Sequence, residues 1–145
     1  SVKVGNVNQP RWSPDGTKIA YAQGGTPGQI MVMNADGSGA TTVTDLINGE
    51  TGLDWSPDGS RLVFVTAIQD MPEGHNVAVV NLDGTDRTAL RIGTSPTWSP
   101  DGTKIAYSAT DDLGDRQIYV MNADGTNPIQ LTFNPDLHLQ PSWSP

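Results

Sequence analysis

Apolar residues in this chain come in short runs, and polar turn residues separate them at a regular beat. Ile19-Ala20-Tyr21-Ala22 precedes Ile30-Met31-Val32-Met33, and Leu62-Val63-Phe64-Val65 precedes Val77-Ala78-Val79-Val80. Ile105-Ala106-Tyr107 then precedes Ile118-Tyr119-Val120-Met121. Nowhere do apolar positions recur with the spacing of an amphipathic helix. The runs are rich in β-branched and aromatic residues, as strands are. They are apolar nearly throughout instead of alternating, which is how strands buried on both faces read.

Two kinds of turn punctuate the runs. Ser-Pro-Asp-Gly follows Trp12, Trp55 and Trp98, and Asn-x-Asp-Gly begins at Asn34, Asn81 and Asn122. Both place a side chain suited to the first position of a type I turn at its start and glycine at its fourth position. Glycine supplies the positive φ that lets such a turn close a hairpin through a bulge. The Trp-Ser-Pro-Asp-Gly copies lie 43 residues apart, and a clipped copy, Trp143-Ser144-Pro145, follows 45 residues after the third. All four tryptophans belong to this motif.

A fixed period of this size marks a repeat architecture. Each unit contains four strands. Strand A ends at Trp-Ser-Pro, B and C are the apolar runs, and D follows the second Asp-Gly, over Ala40–Thr44, Thr88–Ile92 and Pro128–Thr132. Four-stranded units of about 40 to 45 residues stacked face to face make a β-propeller. The predicted fold is all-β, one propeller segment over 1–145, with blades at about 8–44, 51–92 and 95–132. A further innermost strand begins another blade at about 139–145. The repeated Trp12, Asp15, Gly16, Trp55, Asp58, Gly59, Trp98, Asp101, Gly102 and Trp143 read as the structural blade motif, with the indoles packed between blades.

Loop lengths divide the two edges of the sheets. Trp to Asn spans 22, 26 and 24 residues in successive units, and Asn to the next Trp spans 21, 17 and 21. The variation lies in the B–C loops (Gln23–Gly28, Ile68–His75, Thr110–Arg116) and the D–A connections (Asp45–Leu53, Gly93–Pro96, Phe133–Pro141). In a meander these loops share one edge, and variable loops on a rigid scaffold are where binding resides. The expected partner-binding residues on that edge are Asn48, Glu50, Asp70, Glu73, His75, Asp111, Asp112, Asp115, Arg116, Asp136 and His138.

Composition narrows the chemistry. A net charge of −8 argues against a nucleic-acid partner, which needs a basic footprint. No run reaches the ~18 apolar residues of a membrane-spanning helix, and no signal peptide stands in this numbering. Without cysteine there are no disulfides and no thiolate zinc sites. The two histidines, His75 and His138, fall in different units, and Gly-x-Ser-x-Gly does not occur, so a hydrolytic triad does not assemble. No catalytic residue and no cofactor are expected. Calcium is the cation such acids suit, with Asp111, Asp112 and Asp115 as weak candidate ligands, but a solvated surface loop is the default reading of exposed charges.

Trp-Ser-Pro-Asp-Gly-Thr-Lys-Ile-Ala-Tyr (98–107), followed by Ile-Tyr-Val-Met-Asn-Ala-Asp-Gly-Thr (118–126), closely resembles the WD-repeat-like blades of TolB-type β-propellers. Related blades occur in the propeller domains of prolyl oligopeptidases and tricorn-type proteases. The resemblance implies a periplasmic or extracellular, non-enzymatic module binding a protein partner, as the family's periplasmic member binds a peptidoglycan-associated lipoprotein. It leaves open the non-catalytic propeller portion of a peptidase, a metal-dependent propeller enzyme and a self-associating subunit of a surface assembly. Rings of this type close with six or more blades and three are present here, so the chain is expected to be a fragment of a larger propeller or to need a protein partner or self-association to complete the ring.

Overall fold

The computed structural model describes residues 7–24, 28–46, 52–68, 71–133 and 140–144. It contains three four-stranded antiparallel sheets, each a simple meander. The first holds β1 (Val7–Trp12), β2 (Lys18–Gln23), β3 (Gly28–Asn34) and β4 (Thr41–Leu46). The second holds β5 (Asp54–Trp55), β6 (Arg61–Ile68), β7 (Met71–Asn81) and β8 (Thr88–Ile92). The third holds β9 (Thr94–Trp98), β10 (Lys104–Thr110), β11 (Arg116–Asn122) and β12 (Ile129–Gln130).

The turns form as their residues dictate. Gly16, Gly59 and Gly102 donate N–H to the carbonyls of Ser13, Ser56 and Ser99 at 2.8–2.9 Å, closing type I turns. Each glycine has φ near +70°, a conformation costly to a residue with a Cβ. The aspartate between Pro and Gly has a role its turn position did not reveal. Asp58 Oδ1 accepts from Ser56 Oγ at 2.6 Å and from Ser60 N at 3.0 Å, and Asp15 and Asp101 make the same pair of bonds. These bonds favour the ionised form and hold all three carboxyls at about 2, below the ordinary 3.8. Asp36, Asp83 and Asp124 are lowered by the equivalent bonds from Ser38, Thr85 and Thr126.

A depressed folded-state value stabilises the fold above the unfolded value and loses that contribution as pH falls through the folded one. The thermal midpoint should therefore hold steady above pH 3.8 and drop as pH falls from there towards 2, with all six turns contributing. Calorimetry across that range checks it, and an unchanged midpoint at pH 2 would refute the turn-carboxylate account.

Packing between sheets builds two cores. Trp55, Leu62, Phe64, Ala78 and Val80 of blade 2 meet Ala20, Ile30, Val32 and Val43 of blade 1. Trp98, Ile105, Tyr107 and Met121 of blade 3 meet Val63, Val77 and Val79 of blade 2. Burial on both faces holds fully for β6, where Leu62, Val63, Phe64 and Val65 are all within 1% of zero exposure. In β3 burial alternates, because only one face of blade 1 has a described neighbour. Arginines link successive blades as well. Arg87 donates to Thr44 Oγ1 and to the Asp45 carbonyl, each at 3.0 Å, and Arg91 donates to the Gly125 carbonyl at 3.1 Å.

Candidate interaction site: the inner groove and the loop edge

The innermost strands β1, β5 and β9 run side by side and join through residues 42 to 44 positions apart, about one repeat. Gln9 Oε1 accepts from Gly52 N at 2.9 Å, and Arg11 Nε donates to the Leu53 carbonyl at 3.0 Å. Asp54 Oδ2 accepts from Thr97 Oγ1 and Trp98 N, both at 2.9 Å. The indoles continue the ladder: Trp55 Nε1 donates to the Arg11 carbonyl at 3.0 Å and Trp143 Nε1 to the Thr97 carbonyl at 3.2 Å. Trp98 Nε1 is the exception, buried without a partner among the described residues.

Three residues before Trp12, Trp55 and Trp98 the backbone leaves the ladder. Gln9, Gly52 and Ser95 occupy this position with φ of 55°, 126° and 52°. Register shifts mark the same place in the β1–β2 and β9–β10 pairs. Left-handed backbone is uncommon for residues other than glycine and clusters where function re-aims a chain. Here it borders a polar groove of about 580 Å³, lined by Gln9, Arg11, Asp54, Ser95, Thr97 and Gln140 among others. The groove follows the first residues of strand A, next to the D–A connections.

The loop-edge residues are placed unevenly. Asn48, Glu50, Asp70, Asp136 and His138 lie outside the described residues, and the side chain of Glu73 is not described. Glu73 and His75 do not belong to a loop: the hairpin extends, pairing Ala67 with His75 and Ile68 with Met71 across a bulge, so both lie in β7. Arg116 likewise opens β11 and donates to Thr94 Oγ1 at 2.6 Å.

The acidic loop at 111–115 is held by hydrogen bonds of its own. Asp111 accepts from Leu113 N and Asp115 N at 2.9 and 3.0 Å, and Gly114 N returns to the Asp111 carbonyl. Asp111 thus holds its own turn, as the Asp-Gly motifs do, and the described residues contain no cluster of three acids or histidines able to hold a metal. Sequence reading missed the tip of this turn. Leu113 is 85% exposed beside Asp112, and on the same edge Phe133, which opens the third D–A connection, is 78% exposed. No described helix is long and apolar enough to cross a membrane.

The comparisons agree with this geometry. Dipeptidyl-peptidase 5 of Porphyromonas endodontalis is 36% identical over 88 residues, covering 56% of this chain and 13% of the relative. Tol-Pal system protein TolB of Alcanivorax borkumensis is 30% identical over 90 residues, covering 59% of this chain and 21% of the relative. The chain thus spans a small part of these relatives. Among solved structures, putative TolB from Agrobacterium tumefaciens superposes with TM-score 0.75 at 21% identity, over 92% of this chain and 50% of that one. The profile of the TolB beta propeller domain matches residues 6–145, so the chain belongs to the TolB β-propeller domain family.

Proposed function

We propose that this chain is a non-enzymatic interaction module acting outside the cytoplasm, and that its B–C and D–A edge receives a protein partner. The contrast between the two edges carries the reading. On the A–B and C–D edge the six turn aspartates accept hydrogen bonds from their own turns. On the opposite edge stand the exposed Leu113 and the polar groove beside the D–A connections. An exposed apolar side chain rimmed by acids suits a protein surface, where apolar anchors within a polar rim carry most of the binding. Resemblance to a periplasmic, partner-binding family supports both the compartment and the type of ligand.

Photocrosslinking tests the proposal. A crosslinker at Leu113 should capture a defined envelope protein that one at Pro100, on the other edge, does not. Leu113→Asp should weaken binding of that protein about tenfold or more, the scale of losing a buried anchor of one or two kcal/mol. Equal capture from both edges would overturn the assignment.

A further inference from the structure

The copies of the blade motif are alike after their tryptophan and unlike before it. Ser-Pro follows every tryptophan, but the residue before it is Arg11, Asp54, Thr97 and Ser142 in turn. All four of these residues line the polar groove between the inner strands. The copies therefore agree where they build a turn and differ where they face the groove.

Among the described residues lining the groove, Arg11 is the one cation and Asp54 the one anion. The two do not neutralise each other. Arg11 donates Nε to the Leu53 carbonyl, and Asp54 Oδ2 accepts from Thr97 Oγ1 and Trp98 N, each side chain reaching to the next strand. Among the described residues, Nη1 and Nη2 of Arg11 and Oδ1 of Asp54 have no partner, and no ion pair joins the two side chains. Each is tethered at one edge by the fold and keeps its other edge for a ligand. Tethering also lowers the rotamer entropy that an arginine would otherwise lose on binding. The adjoining backbone is strained as well, since Gln9 and Ser95 hold φ of 55° and 52°. Such conformations are costly to residues with a Cβ and cluster at ligand sites.

We infer that the groove binds a small zwitterion, an amino acid or a short peptide, with its carboxylate on Arg11 Nη1 and Nη2 and its ammonium on Asp54 Oδ1. Guanidinium and carboxylate match as a bidentate pair, and charge-assisted bonds of this kind are the strong ones. A ligand with both charges satisfies both walls, whereas a simple anion or cation satisfies one wall and meets like charge at the other. The groove's volume of about 580 Å³ lies within the range of small-molecule sites. This inference goes beyond the protein-partner reading and does not rest on it, because Leu113 does not line the groove.

Heteronuclear NMR of the isotope-labelled chain tests it, with L-alanine and L-alanyl-L-alanine as probes. At least one should shift the amide signals of Gly52, Asp54 and Thr97 saturably, and which one binds identifies the charge separation that the groove matches. Alaninamide, which lacks the carboxylate, and N-acetylalanine, which lacks the ammonium, should bind about tenfold more weakly or worse. Arg11→Gln and Asp54→Asn should each weaken the zwitterion to the same extent; asparagine keeps an oxygen to accept from Thr97 and Trp98 N. The capped probes leave the protein unchanged, so they decide the question even where a variant fails to fold. The absence of a saturable shift with both zwitterions overturns the proposal. So do equal affinities for the capped probes, or undiminished binding by a folded variant. None of these results bears on photocrosslinking at Leu113, so the two readings stand or fall separately.

Discussion

Trp55→Ala is expected to destabilise the fold by about 3–5 kcal/mol, the range for removing a large aromatic side chain from a core. Trp55 is 5% exposed, packs between blades 1 and 2, and donates its indole N–H to the Arg11 carbonyl of the neighbouring strand. Truncation leaves a cavity at the interface and strands that carbonyl. Phenylalanine separates the two contributions. Trp55→Phe loses the hydrogen bond, a cost of about 1–3 kcal/mol when a buried partner is left unpaired. Trp98→Phe should cost less, because the Trp98 N–H has no partner among the described residues. Urea denaturation of the three variants gives the ordering, and equal losses for Trp55→Phe and Trp98→Phe would refute the role of the bond.

Gly84→Ala should lower stability by about 2–5 kcal/mol, combining left-handed strain with overpacking. Gly84 has φ +82°, and a Cβ there would stand 2.7 Å from the backbone carbonyl oxygen of Val43 in blade 1. Backbone cannot rotate away as a side chain can. The same motif glycine meets Leu90 at 3.2 Å in blade 3, as Gly125, and nothing within 4 Å in blade 1, as Gly37. Loss on substitution should therefore fall in the order Gly84, Gly125, Gly37, with Gly37→Ala costing only the strain of about 1–2 kcal/mol. Thermal denaturation of the three alanine variants checks the order; equal losses would show that φ alone decides.

The fold was legible because it is written three times. Strand length, turn type and period repeat, and local chemistry alone forms the Ser-Pro-Asp-Gly and Asn-x-Asp-Gly hairpins, so reading along the chain recovered the blades. The site was much less legible. His75 and Glu73 read as loop residues because the Trp-to-Asn spacing varies in that stretch, yet ladder pairing with β6 carries the strand through them. Asp111 read as a candidate ligand because its neighbours are acidic, but its carboxylate serves backbone N–H groups four residues away or fewer. Leu113 passed unnoticed because exposure is not a property of a residue type.

Sequence by itself determined the blade: its four strands, its two turns and the place of its tryptophan, all set by contacts within about 40 residues. Tertiary structure decided what each copy of the motif does. Trp12, Trp55 and Trp98 are the same residue at the same position, but one is 60% exposed and two are buried, because only blades 2 and 3 have a described blade packed against the tryptophan face. The inner groove is likewise a product of neighbours, since Gln9, Asp54 and Thr97 come together only when strands a full repeat apart are laid side by side. Contacts between repeats join residues about 43 positions apart, and no local pattern of polar and apolar residues encodes them.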